Sequence, residues 1–203
     1  MDLSLRFGEA TDAAVVADYT LKAGGGLFEF LLNGVLPLVT AEHLLRLAVV
    51  NEDSVLHYSN AVLAEFEAKP VGMILCYASR DYGIPQILEG LVPRSRLDQV
   101  REIFSSRIEN SFYVNTLIVD DAARGRGVGR ILLSFAAALA QEQGQETMSL
   151  HAWSDNTAAL KLYRESGFSV VCEISVPPTA NADHAPRSML LMKANLPLAA
   201  TEH

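Results

Sequence analysis

Basic residues are scarce: 16 Lys and Arg stand against 24 Asp and Glu in 203 residues, a formal net charge of −8. Affinity for phosphate backbones and anionic bilayers comes from clustered Lys and Arg, so this balance argues against a nucleic acid or a membrane surface as partner. An amine-bearing partner fits the sign better. No uninterrupted apolar run is long enough to cross a bilayer. Met1 to Phe7 lacks the basic region, apolar stretch and small-residue cleavage site of a secretory signal, which predicts a cytoplasmic protein. Only two cysteines occur, Cys76 and Cys172, at a spacing that suggests no metal site. Both lie in strand-like apolar segments and are expected as buried free thiols. The sequence also has no Gly-Lys-Ser/Thr phosphate loop, no Gly-x-Ser-x-Gly elbow and no Cys/His motif, so no activated nucleophile is recognisable.

What is present is hydrophobic: half the residues are apolar, enough for one substantial core, and residues 1–203 read as a single domain. Leu3 to Phe7 alternates as a half-buried strand. Thr11-Asp12 opens a helix ending near Ala23, Gly24-Gly25-Gly26 breaks it, and helical stretches follow at Leu27 to Leu32 and from about Thr40 to Val50. His57 to Glu67, the turn at Lys69-Pro70 and Val71 to Tyr77 read as an antiparallel hairpin. Residues 80–110 read as an insertion between strands, with a helix from Ser95 to Arg107. Phe112 to Val119 is a strand. Val128, Leu132, Phe135 and Leu139 then recur at helical spacing as far as Gly144. Met148 to Trp153 is a strand, Asn156 to Ser166 a helix closed by Gly167, and Phe168 to Val176 and Ser188 to Lys193 are the last strands. The stretch from Pro177 to Pro186 reads as a loop.

Between the strand at 112 and the helix at 128 lies Arg124-Gly125-Arg126-Gly127-Val128-Gly129-Arg130. A glycine-rich turn opening a helix is an anion site, because glycine lets the chain turn sharply and the first helical N–H groups have no partner. Three arginines strengthen it, and a pyrophosphate is the natural occupant. A dinucleotide fingerprint needs a third glycine where this chain has Arg130.

Arg124, Gly127 and Gly129, preceded by Leu117-Ile118-Val119-Asp120, resemble the cofactor motif Arg/Gln-x-x-Gly-x-Gly/Ala of the GNAT superfamily of N-acetyltransferases. Downstream, Asn156-Thr157-Ala158-Ala159-Leu160-Lys161-Leu162-Tyr163 and Gly167-Phe168 are similar to that family's second motif. The likeness covers residues 112–175, the cofactor-binding and catalytic core. It implies an α/β (α+β) fold, a mixed and mostly antiparallel seven-stranded sheet flanked by helices, with strands four and five splayed. It also implies acetyl-CoA as cosubstrate, its pyrophosphate on amides of Arg124 to Arg130 and its pantetheine along Leu117, Ile118 and Val119. A bulge in strand four would free those N–H groups, and the amide of Leu117 would polarise the thioester carbonyl. Asn156 and Tyr163 are seven residues apart and share a helix face. The resemblance makes Tyr163 the proton donor to the departing sulfur, with Asn156 contacting pantetheine or capping the helix.

The general base is less determined. Asn115 stands close to where many relatives have a Glu, and Asn cannot take up a proton. His151, five residues before Asn156, occupies another family position for a base, with His184 and Glu29 as further candidates and ordered water as an alternative. The acceptor, an amine-bearing small molecule or peptide, is expected among the first two helices, the loop between strands six and seven and the 80–110 insertion. Glu29, Asp53, Glu65 and Asp81 are candidates for a negative lining. The activity implied is direct acetyl transfer to a primary amine through a ternary complex, and the resemblance implies a homodimer, the state common among relatives. A non-catalytic CoA-sensing or protein-interaction module on the same fold is the alternative.

Overall fold

The structure is a computed structural model that describes residues 3–177 and 187–199. Seven strands form one sheet in the order β1-β2-β3-β4-β5-β7-β6. They are β1 (Leu3–Phe7), β2 (Ala61–Phe66), β3 (Lys69–Ala78), β4 (Phe112–Val119), β5 (Thr147–Trp153), β6 (Ser169–Val176) and β7 (Arg187–Asn195). Every neighbouring pair is antiparallel except β4 and β5, which run parallel. The helices are α1 (Ala13–Ala23), α2 (Leu27–Leu32), α3 (Ala41–Val50), α4 (Gln86–Glu89), α5 (Arg94–Ser105), α6 (Val128–Glu142) and α7 (Thr157–Glu165).

Each sheet face buries its own core. On one, α1, α2, α3, α4 and α5 pack against Leu63, Met73, Leu75, Tyr113 and Trp153. On the other, α6 and α7 cover Val62, Ile74, Val114, Leu150 and Met192. The spacing of α6 explains its place: Val128, Leu132, Ala136 and Ala140 are buried at four-residue steps, forming one apolar stripe. Helices α4 and α5 lie between β3 and β4, in the segment expected as an insertion.

Two expectations need correction, and a third falls where it is not tested. The hairpin's first strand begins at Ala61, because Tyr58–Asn60 forms a 3-10 turn closed by the Asn60 N–H to the His57 carbonyl at 2.9 Å. Cys76 is buried as expected, but Cys172 is exposed, since residues 169–173 of the edge strand β6 are open to solvent. The loop read at 177–186, including the base candidate His184, lies outside the described residues after Pro177.

Strand β4 carries one extra residue. Leu75 faces Thr116 and Cys76 faces Val114, so Asn115 is unmatched and forms a bulge. The bulge resets the alternation, placing Leu117 and Val119 with Phe112 and Val114 on the face covered by α6. Pairing between β4 and β5 runs only from Phe112 with Met148 to Val114 with Leu150. Beyond it the strands separate, and the edge of residues 115–119 that turns towards β5 is left without a strand partner.

Candidate active site

The gap between β4 and β5 opens a cleft of about 1070 Å³ that reaches both sheet faces. One end is the glycine-rich loop. Gly125 and Gly127 have φ of 74° and 80°, left-handed values that a side chain disfavours. A Cβ at either would meet nothing within 4 Å, so the space above these two backbones is open. Backbone hydrogen bonding stops at Arg124 N–H to Asp121 (3.3 Å) and resumes at Ile131 N–H to Gly127 (3.0 Å). The intervening amides at the start of α6 are thus free to bind an anion. Gly129 is constrained differently: a Cβ there would stand 3.2 Å from Leu162 of α7, so its smallness lets the two helices approach. The loop's entry is anchored from behind, where Tyr19 of α1 donates to Asp120 at 3.0 Å.

Among the predicted cofactor residues, Leu117, Ile118, Val119, Arg124, Gly125, Gly127, Val128, Gly129, Arg130 and Asn156 all line the cleft. Arg126 does not; its guanidinium lies 5.7 Å over the ring of Phe66, outside the lining. Arg124 and Arg130 are held by carboxylates, Asp121 at 2.8 Å and Glu165 at 2.7 Å.

Helix α7 supplies the opposite wall. Asn156 is its N-cap, its Oδ1 accepting from the Ala159 amide at 3.1 Å. Two turns on, Tyr163 also lines the cleft, its ring 5.8 Å from that of Phe168. Its hydroxyl has no hydrogen-bond partner among the described residues, and burial pushes its pKa well above the usual phenol value, so it remains protonated.

His151 lines the cleft from β5 on the other sheet face, stacked at 5.3 Å on Tyr82 with Nδ1 3.0 Å from the Tyr113 hydroxyl. Its Nε2 is buried without a partner. Burial pulls its pKa down to about 4, opposed in part by the Ser106 carbonyl. Asn115, at the bulge, donates to the Tyr77 hydroxyl at 2.9 Å and accepts from Thr116 at 3.0 Å.

None of the four acids expected to line the acceptor site is on the cleft wall. Glu65 pairs with Arg6 at 2.8 Å on the β1–β2 side, Asp53 and Asp81 line a separate pocket, and Glu29 is not on the cleft wall. The far end instead gathers residues that the sequence did not single out, among them Tyr82, Tyr113, Trp153 and Arg187. Trp153 had a local signal, standing two residues after His151 and therefore on the same strand face. Arg187 stacks 4.0 Å over the Trp153 ring and pairs with Asp155 at 2.8 Å.

Sheet order, splayed strands and a glycine-rich anion loop at the splay together define an α/β transferase architecture of the kind that the two motifs suggested. Residues 39–168 match the model of the Acetyltransferase (GNAT) family, and the chain belongs to that family. Over 81 residues it is 40% identical to a mycothiol acetyltransferase from Jonesia denitrificans, a match covering 38% of this chain and 26% of that relative. The chain thus spans about a quarter of that relative's length. Among solved structures, an acetyltransferase aligns with a TM-score of 0.68 at 21% identity, over 95% of this chain and 99% of the other. A Salmonella typhimurium protein, solved with its cofactor acetyl-CoA, aligns with a TM-score of 0.60 at 18% identity, over 100% and 99%. These structural likenesses show the fold.

Proposed function

We propose that the protein transfers an acetyl group from acetyl-CoA directly to a primary amine, without a covalent enzyme intermediate. The observation that carries this reading is the single cleft in which the open glycine loop, the unpaired β4 edge and the Tyr163 hydroxyl face one extended space. An extended cofactor fits it, with pyrophosphate on the amides of Gly125 to Arg130, pantetheine along Leu117 to Val119 and thioester at the splay.

In this reading the amine nitrogen attacks the thioester carbonyl carbon, and a backbone amide near Leu117 stabilises the oxyanion. The carbon–sulfur bond then breaks, the sulfur leaves with the electron pair, and Tyr163 supplies its proton. The proton lost from nitrogen goes to His151 Nε2, directly or through water. Only the tautomer in which Nδ1–H donates to Tyr113 leaves Nε2 open to accept it. With a pKa near 4, His151 is unprotonated at neutral pH and passes the proton on to solvent.

The test is calorimetric titration of acetyl-CoA and CoA into wild type and Gly127→Glu, with circular dichroism as a check on folding. At φ 80° a glutamate strains the turn and opposes a phosphate charge. Saturable binding that the substitution abolishes in a folded protein supports the reading. Absence of wild-type binding overturns it, whereas tight binding with no transfer to any amine leaves the CoA-sensing alternative, for which Asn115 in place of a carboxylate speaks.

A further inference from the structure

Five buried side-chain polar atoms among the described residues have no hydrogen-bond partner: Thr20 Oγ1, Glu29 Oε2, His151 Nε2, Trp153 Nε1 and Arg187 Nε. Buried polar groups are nearly always paired, so such exceptions call for an account. All but Glu29 belong to residues that line the cleft. Three of them, on His151, Trp153 and Arg187, lie together at its far end, on the sheet face opposite Tyr163: His151 and Trp153 share one face of β5, and Arg187 stacks on Trp153.

The walls around them are apolar. Leu27, Phe28 and Leu31 of α2 form one side, and Tyr82, Leu88 and Phe104, from the segment between β3 and β4, form the other. Rings dominate: Tyr82 lies 4.5 Å from Tyr113, 5.3 Å from His151 and 6.1 Å from Phe104. Tyr82 is fixed by its own bond to the Ile103 carbonyl at 3.1 Å, so the ring wall is tied to α5.

Charge works against a polycation. Lys22, Arg124, Arg130, Lys161 and Arg187 line the cleft against two carboxylates, Asp155 and Glu165. Both are engaged, Asp155 with Arg187 and Glu165 with Arg130. Among the described residues no unpaired carboxylate on the wall is left to receive a second or third ammonium, although the chain as a whole is acidic.

Building on the proposed acetyl transfer, we infer that the acceptor is a compact monoamine with an aromatic or similarly apolar body. That body sits among Phe28, Tyr82, Leu88 and Phe104, and the amine points towards His151 at the splay. The segment between β3 and β4 is then the element that sets acceptor choice. A polyamine or an aminoglycoside would place extra ammonium groups against rings and guanidinium groups, losing hydration without gaining a counter-charge.

The test uses the intact protein with acetyl-CoA and compares phenethylamine, spermidine and kanamycin by release of CoA thiol, alongside binding of each amine to the CoA-saturated protein. Phenethylamine is expected to have a kcat/KM above either polycation by at least about tenfold, the scale on which a hydrophobic pocket discriminates. Phe104→Ala and Phe28→Ala should each raise its KM severalfold while acetyl-CoA affinity stays at the wild-type value. A preference for spermidine or kanamycin, or no binding of phenethylamine to a protein that does bind acetyl-CoA, overturns the inference. Failure to bind acetyl-CoA at all is a different result and overturns the transfer reading itself.

Discussion

The Tyr113 hydroxyl lies 3.0 Å from His151 Nδ1, joining β4 to β5 where their pairing ends, Tyr113 within the paired stretch and His151 one residue past it. Tyr113 is itself buried, which raises its pKa well above that of a free phenol, so the contact joins a neutral phenol to a neutral imidazole. Protonating the ring would place a cation beside Tyr82 in an apolar wall, with the Ser106 carbonyl offsetting only part of the cost of burial.

Acid sensitivity follows from that burial. An unfolded histidine takes up its proton near pH 6.5, whereas folded His151 does so only near 4. Between these values the unfolded chain binds the extra proton, so stability falls as pH drops through this window and the loss levels off below it. The full effect is on the order of 3 kcal/mol. Urea unfolding at pH 7 and pH 4.5 should show His151→Gln losing less stability than wild type. Equal losses would mean that His151 is not held neutral.

Tyr163→Phe separates chemistry from packing. The ring stays against Phe168, so stability and acetyl-CoA affinity should hold to within a few tenths of a kcal/mol. Removing the proton donor should lower kcat about 100-fold or more. Unchanged turnover would remove Tyr163 from the mechanism and leave it as a core aromatic.

Much of this architecture was readable because its signals are local. Helix α6 showed its helical apolar spacing, Thr11-Asp12 the start of α1, and the glycines around Gly127 their sharp turn, each within a few residues of sequence. The acceptor end was not readable, for the opposite reason. Phe28, Tyr82, Tyr113 and Arg187 come from four segments distant in sequence and meet only through sheet order. The reset at Asn115 depends on a one-residue mismatch with β3 that the alternation of β4 alone cannot reveal. Cys172 was misplaced because an apolar edge strand and a covered strand share one pattern.

Asn156 has two candidate duties that substitutions can separate. Alanine removes the bond to the Ala159 amide and should cost about 1 kcal/mol, lowering Tm by about 2–4 °C. Serine keeps a capping oxygen but lacks the amide group, so Asn156→Ser should hold Tm while weakening acetyl-CoA binding about fivefold. An unchanged Kd in the serine variant would confine Asn156 to capping.

Gly25 links the α1–α2 turn to the acceptor wall. Its φ is 57°, and a Cβ there would stand 2.5 Å from Trp153 Nε1. The left-handed backbone costs alanine about 1 kcal/mol, and the methyl must displace an indole already held under Arg187. Gly25→Ala should therefore destabilise the fold by roughly 1–3 kcal/mol. Because the displaced ring lies at the acceptor end and the phosphate loop is at the other, amine KM should rise while acetyl-CoA affinity holds. A variant that loses cofactor affinity in parallel would show instead that the two ends of the cleft are mechanically coupled through β5.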